Sequence, residues 1–466
     1  MATGNGAGDG TAGAAGPDSE PGTELKRTIG RRVLLVFVVG DILGAGIYAL
    51  TGKVAGEVGG AIWLPFVLAF ALAALTATAY AELVGKFPQA AGAALYANRA
   101  FHRPFVTFMV AFAVMMSGIT SASAAARAFG GDYLTEFVSV PTLLAAYAFL
   151  ALVTAVNLVG ISESIKVNLV LTAIETSGLL VIIAIGAWSL ATGAGEPARA
   201  LELDPEAGWV GVLGGTALAF YALLGFEDSV NLAEECQQPR RDFPRALFAG
   251  IGIAAAIYLA VAFTSSMLVE TDVLEASTGP LLEVVKVAGV AFPPALFALI
   301  ALLAVSNTAL INMIMASRLV YGMAQEGIVP KVLGRVHRGR QTPFVAIAFT
   351  VAIAFTLITT GDLSGLADTT VLLLLLVFAC VNVSVLVLRR APADPENPAP
   401  AFRAPTWAPA LGATASLVLA SPLTGRDGAV YLRAAILLGV GVVLYLLNRL
   451  ATRRGRAASA EVGAEH

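Results

Sequence analysis

The chain has 466 residues, 57% hydrophobic and only 13% charged, against about 45–50% and about 25% in ordinary soluble domains. A water-soluble globule has no place to hide that much apolar surface, so the composition points to a lipid environment. The net charge of −3 argues against a nucleic-acid partner, and the cysteines, Cys236 and Cys380, sit in no CxxC pair, which removes disulfide frameworks and cysteine-based metal sets.

Taken in chain order, the first 22 residues are rich in Gly, Ala and polar residues and are expected to be disordered, within a cytoplasmic tail of residues 1–28. They do not read as a signal peptide, because Lys26 to Arg32 precede a full-length span rather than a short apolar stretch with a cleavage site. A helix needs about 20 apolar residues to cross the hydrocarbon core. Stretches of that kind fall at 61–81, 104–126, 137–162, 207–226, 246–269, 287–317, 341–361, 369–388 and 404–425. Two more contain one carboxylate each, 33–51 with Asp41 and 167–195 with Glu175, and a last one, 430–450, has Arg433 near its start. The expected fold class is therefore all-α integral membrane with twelve transmembrane helices. With the N-terminus inside, 23 of the 29 lysines and arginines fall in inside segments, which places both termini in the cytoplasm and the protein in the cytoplasmic membrane.

A fully hydrogen-bonded helix cannot bind a polar solute, so glycines within spans mark where backbone groups are freed. The first span reads Gly40-Asp41-Ile42-Leu43-Gly44-Ala45-Gly46-Ile47-Tyr48, and the sixth reads Phe220-Tyr221-Ala222-Leu223-Leu224-Gly225-Phe226-Glu227-Asp228. Taken alone, such glycines equally suit close helix packing. Their occurrence in spans one and six matches an inverted repeat of five helices plus five, with 29–195 and 207–390 as the repeats. Residues 404–450 would then be two extra helices, for packing or dimerisation, before a tail at 451–466. The exposed N–H groups at a half-helix start suit a carboxylate, and carbonyl ends suit an ammonium group. A zwitterionic amino acid matches both.

On these motifs the chain resembles the amino acid-polyamine-organocation transporters, which have a LeuT-like fold. The family's Gly-x-Gly-Ile-aromatic break is matched by Gly44 to Tyr48. Its sixth helix and following loop are matched by Gly225-Phe226-Glu227, Ala233-Glu234-Glu235 and Pro239 to Pro244. Two further matches are Ala81-Glu82-Leu83 with Phe87-Pro88, and the run from Ser317-Arg318 through Glu326-Gly327-Ile328-Val329-Pro330. The resemblance implies that Gly44, Ala45 and Gly46 hold the substrate carboxylate by backbone amides and that Tyr221, four residues before Gly225, is an aromatic gate. It also implies that carbonyls near Ala219 to Ala222 receive the amino group, with Ser117, Gly118 and Ser121 lining the side-chain pocket.

Two departures bear on coupling. Proton-coupled relatives often have a lysine in helix 5, where this chain has Leu171-Thr172-Ala173-Ile174-Glu175, and Asp41 is an acid where relatives carry a small or neutral residue. With Ser306 on span 8, Asp41 and Glu175 form either a cation site or a proton-titrating pair; the alternative is that both acids face a watery vestibule or hydrogen-bond neighbouring helices. Glu227 and Asp228 are open to a gating role, a coupling role or recognition of a cationic side chain. The expected function is uptake of an amino acid by alternating access, with H+ or Na+ as the coupling ion and no other cofactor. A polyamine or other organic amine, and exchange in place of uptake, are the alternatives. A membrane enzyme would need His/Asp pairs or Asp-rich metal motifs, and a channel would need repeated pore-lining polar positions; neither pattern is present. Oligomeric state is not readable from the sequence.

Overall fold

A computed structural model describes residues 29–89, 92–159, 165–337, 340, 342–390 and 400–464; the expected tail at 1–28 lies outside them. The described residues form helices, with two isolated bridges, Ile29–Cys236 and Gly59–Leu203, as their only β pairing. The first span is two helices, α1 (Arg31–Ile42) and α2 (Ala45–Val58), bent by 41°. Then come α3 (Trp63–Lys86), the short α4 (Gly92–Phe101), α5 (Pro104–Phe129), the single turn α6 (Asp132–Thr135), α7 (Thr142–Val159) and α8 (Ile165–Thr192). The second half holds α9 (Gly208–Tyr221), α10 (Pro239–Leu268), the short α11 (Thr271–Ala276) and α12 (Pro280–Val287), α13 (Pro294–Gln325), α14 (Phe344–Thr360) and α15 (Leu363–Leu388). Last are α16 (Trp407–Ala420) and α17 (Gly428–Ala464), so residues 451–464 continue a helix. Among the described residues eight helices are long and apolar enough to cross a membrane, the bent α1–α2 pair makes a ninth span, and α9, α14 and α16 are shorter apolar helices.

Local chemistry explains where helices start. Proline occupies the first turn of α5, α10, α12 and α13, where its missing N–H costs no hydrogen bond. Asp362 caps α15 by accepting from the Gly365 N–H at 3.1 Å, so this helix begins six residues before the expected 369. Residues 137–141, expected in a span, form an exposed turn ahead of α7. The expected 287–317 stretch likewise enters its helix only at Pro294, after Gly289 at φ +62° and the Pro293-Pro294 pair.

The side chains sort by depth. Large apolar residues such as Leu144, Leu152, Leu432 and Val443 are exposed on the outside of the bundle, a cost in water and the normal state against lipid. The exposed tryptophans Trp188, Trp209 and Trp407 lie at helix ends, where amphipathic rings suit a membrane interface. Inside, hydroxyls are absorbed by their own helices, as with Thr51 donating to Ile47 O at 2.6 Å and Thr120 to Met116 O at 2.8 Å. α1 packs against α10, α2 against α9, and α5 against α13 and α15. A buried charged pair braces this framework: Glu82 on α3 accepts from Arg389 Nε at 2.7 Å and Nη2, and from the Ala404 N–H at 2.8 Å. This clamp ties α3 and α15 to the segment that starts α16, on the face of the bundle where α1 begins and α17 ends, called here the terminal face.

Candidate functional site

At the break in the first span, α1 ends with Leu43 N–H on Val39 O at 2.9 Å, and extended Gly44 (φ −82°, ψ −161°) donates to Ile42 O at 2.8 Å. The chain then enters α2, whose first N–H groups have no carbonyl within the helix. One of them, Ala45 N–H, donates to Thr308 Oγ1 on α13 at 3.1 Å. The glycines here are required by proximity: a Cβ on Gly46 would stand 2.5 Å from Ala222 Cα, and one on Gly40 would stand 2.4 Å from Thr172 Oγ1. Opposite, α9 stops at Tyr221, five residues before the expected end at 226. The chain passes through tight turns to a 3-10 helix at Asp228–Glu235. Gly225 has φ +120°, and a side chain there would strike Asp41 O at 2.4 Å. The two breaks are thus pressed together, and the Tyr258 hydroxyl of α10 lies 2.6 Å from Ile42 O and 3.1 Å from Ala222 O, within reach of the carbonyl ends of both.

A cavity of about 1140 Å³ runs from these breaks to the terminal face, where Arg318, Glu326, Asn448 and Arg449 form its rim. On the opposite face α2 is covered. Tyr133 donates to Tyr48 O at 2.7 Å, Lys53 to Glu275 O at 2.5 Å and Trp63 Nε1 to Ala200 O at 2.9 Å. Gly44, Ala45, Gly46, Tyr221, Ala222 and Gly225 all line the cavity, as do Ser117, Gly118 and Ser121 across from them. Tyr221 OH is 3.0 Å from Ser121 Oγ, which also accepts from Asn312 Nδ2 at 3.4 Å. Ala219 lies behind the wall, with its carbonyl accepting the Ala222 N–H at 3.1 Å.

Charge is unevenly spread. Asp41, Glu175, Glu227 and Asp228 line the interior, whereas the lining cations, Arg318 and Arg449, stand at the rim. Glu175 Oε1 accepts from Asn307 Nδ2 at 2.9 Å, its Oε2 meets no hydrogen-bond partner among the described residues, and its carbonyl accepts from Tyr48 OH at 2.5 Å. Glu227 Oε2 accepts from the Gly225 N–H at 2.9 Å, which holds this carboxylate at the break. Ser306 is turned into its own helix, donating to Leu302 O at 2.6 Å. Its neighbours Asn307 and Thr308, with Asn312 one turn on, face the site. Sequence reasoning passed over these three, although polar residues at 307, 308 and 312 of an apolar span share one helix face.

A helical protein with many apolar spans, and with a one-sided cavity ending at two helix breaks, is built as a membrane transporter. Residues 29–443 match the sequence profile of a family described as amino acid permease, and the chain belongs to that family, within the amino acid-polyamine-organocation superfamily. It is 28% identical to cationic amino acid transporter 9, chloroplastic, of Arabidopsis thaliana, over 68% of this chain and 59% of that protein. It is 30% identical to human cationic amino acid transporter 4, over 83% of this chain and 64% of that protein. The chain therefore spans less than two thirds of either. Against the branched-chain amino acid permease BcaP of Bacillus subtilis it is 24% identical, over 91% and 93% of the two lengths.

Proposed function

We propose that this protein is a secondary active transporter that takes up an amino acid across the cytoplasmic membrane by alternating access, coupled to a proton or another cation. The observation that carries this reading is the start of α2, whose first N–H groups have no carbonyl within the helix and, with Ala45 held by the Thr308 hydroxyl, form the floor of a cavity that opens toward the terminal face. A substrate carboxylate completes those groups and meets the positive end of the α2 dipole. The amino group lies toward the carbonyl end at Ala222, beneath the Tyr221 ring. Closure of the ring over the substrate, with opening of the covered face, completes the cycle. Support for a LeuT-like arrangement comes from the apolar segments, which among the described residues number twelve when the α1–α2 pair and the three shorter helices are included. Further support comes from the contact of α2 with α9 and of α1 with α10. In this reading the rim at Arg318 and Arg449 faces the cytoplasm, with both termini.

Four interior carboxylates, with no cation beside them among the described lining residues, favour a substrate whose side chain is itself positive, in keeping with the two relatives named for cationic amino acids. A second reading, a branched-chain substrate as in the name of the Bacillus relative, draws on the apolar lining residues Met115, Ile311 and Leu374. Under that reading the acids serve coupling. Glu175 with Asn307 is the proposed coupling centre, since a carboxylate oxygen without a partner accepts either a proton or a cation. The test is uptake into proteoliposomes of labelled arginine, lysine, leucine and a polyamine under separate inward proton and sodium gradients. Accumulation of arginine and lysine under one gradient is expected. Accumulation of leucine alone would select the branched-chain reading. Failure of every solute to accumulate or exchange would remove the amino acid reading.

A further inference from the structure

The loop between α16 and α17 buries an arginine. The Arg426 side chain is 1% exposed, and its Nε donates to Asp368 Oδ1, in the second turn of α15, at 3.1 Å. Its Nη1 donates to the Leu419 carbonyl, and its Nη2 is buried without a hydrogen-bond partner among the described residues. Desolvating a guanidinium is costly unless it is well paired, so a connecting loop that carries one inward is under a demand other than connection.

The surroundings of the pair suggest that demand. Glu57, in the last turn of α2, is close enough to Asp368 for their charges to repel, and Glu275 on α11 adds a third carboxylate to that field. Lys53 is committed to the Glu275 carbonyl. The middle of α9 lies against the same groups: a Cβ on Gly214 would stand 2.9 Å from Glu57 Oε2 and 3.0 Å from Thr424 O, in the loop that carries Arg426. Two turns into α17, Arg433 Nη1 donates to Gly365 O and Thr369 Oγ1, both at 3.0 Å, and its Nη2 to Thr360 O at 3.1 Å. The α16–α17 hairpin therefore grips the start of α15 at two places. All of this lies on the covered face, and neither Glu57, Asp368 nor Arg426 lines the cavity.

We propose that Arg426 is the latch of the covered face: it neutralises Asp368 near Glu57, holds α15 against α9 and the α16–α17 loop while the cavity is open on the terminal face, and must be withdrawn for the opposite face to open. This inference rests on the alternating-access reading. Once Arg426 leaves, the like charges of Asp368 and Glu57 repel without its compensation. The release of one cation thus both removes an attraction and exposes a repulsion. The latch comes from a hairpin outside the two five-helix halves, which gives α16 and α17 a part in the cycle.

The test reads exposure of the cavity rather than transport. In the full chain with Cys236→Ser and Cys380→Ser, Thr370→Cys on α15 places a thiol in the cavity wall. A membrane-impermeant maleimide is then applied from the face opposite the termini. Slow labelling of this parent is expected, with a rise of about fivefold or more on adding Arg426→Gln or Asp368→Asn, the effect of a coupling of about 1 kcal/mol. The exchanged pair, Arg426→Asp with Asp368→Arg, should return the rate toward the parent's. If Arg426→Gln does not fold, Arg426→Lys, which keeps the charge and loses the fork, should give a smaller rise. Unchanged labelling in a variant that elutes as a folded species would overturn the latch. No labelling of any version from that face would overturn alternating access as well, so the two failures are distinguishable.

Discussion

Glu175 shows how much a single side chain owes to its partners. A carboxylate in the fifth span is visible in the sequence, yet its assigned companion Ser306 is bonded to Leu302 O, and the amide that reaches it is Asn307 Nδ2 at 2.9 Å. One residue of helix rotation, about 100°, separates a hydroxyl that faces its own backbone from an amide that faces the acid. Glu175→Gln keeps an oxygen for Asn307 and removes the charge. Gradient-driven accumulation should therefore fall to the equilibrium level while exchange of labelled against preloaded substrate continues, a split that paired uptake and counterflow assays resolve. Loss of both activities would make Glu175 a structural residue and sink its coupling role.

At the scale of elements, Ala81-Glu82-Leu83 stands out in the sequence only as a motif, and what it does emerges from packing. Glu82 meets Arg389 from 307 positions away and the Ala404 amide from 322, at side-chain exposures of 7% and 11% for the two charged partners. Breaking a buried pair by removing one charge leaves the other stranded, at a cost of roughly 3–5 kcal/mol. Glu82→Gln is accordingly expected to lower the melting midpoint by several degrees, read as loss of the monodisperse peak after heating in detergent. An unchanged midpoint would mean that the segment before α16 is held by its apolar contacts instead. The breaks belong to this scale too. Glycines mark both, but α9 stops five residues short of the expected 226, where the Tyr258 hydroxyl and the approach of Asp41 to Gly225 meet the chain, and neither contact is local.

For the molecule as a whole, the cavity opens on the terminal face, which the proposed function puts in the cytoplasm on the distribution of lysine and arginine. Single cysteines make the assignment measurable. Leu423→Cys, in the exposed turn between α16 and α17, should react with an impermeant maleimide in intact cells, whereas Val332→Cys, in the exposed turn after α13, should react only after permeabilisation. The reverse pattern would invert the topology and make the cavity outward-facing. Composition and apolar run length determined by themselves that the chain is a helical membrane protein. The reason is that lipid leaves a backbone no partner except itself, so a span must be a continuous apolar helix that shows in the sequence. The Gly44/Gly46 pair in the first span and Gly225 in the sixth marked where that rule is broken. Which polar groups meet there depended on tertiary structure: the Asn307–Glu175 bond, the Thr308 hydroxyl on Ala45, the Asn312–Ser121–Tyr221 chain and the Arg426–Asp368 pair join residues tens to hundreds of positions apart. Their meeting is set by helix rotation and crossing, which packing decides and local composition does not.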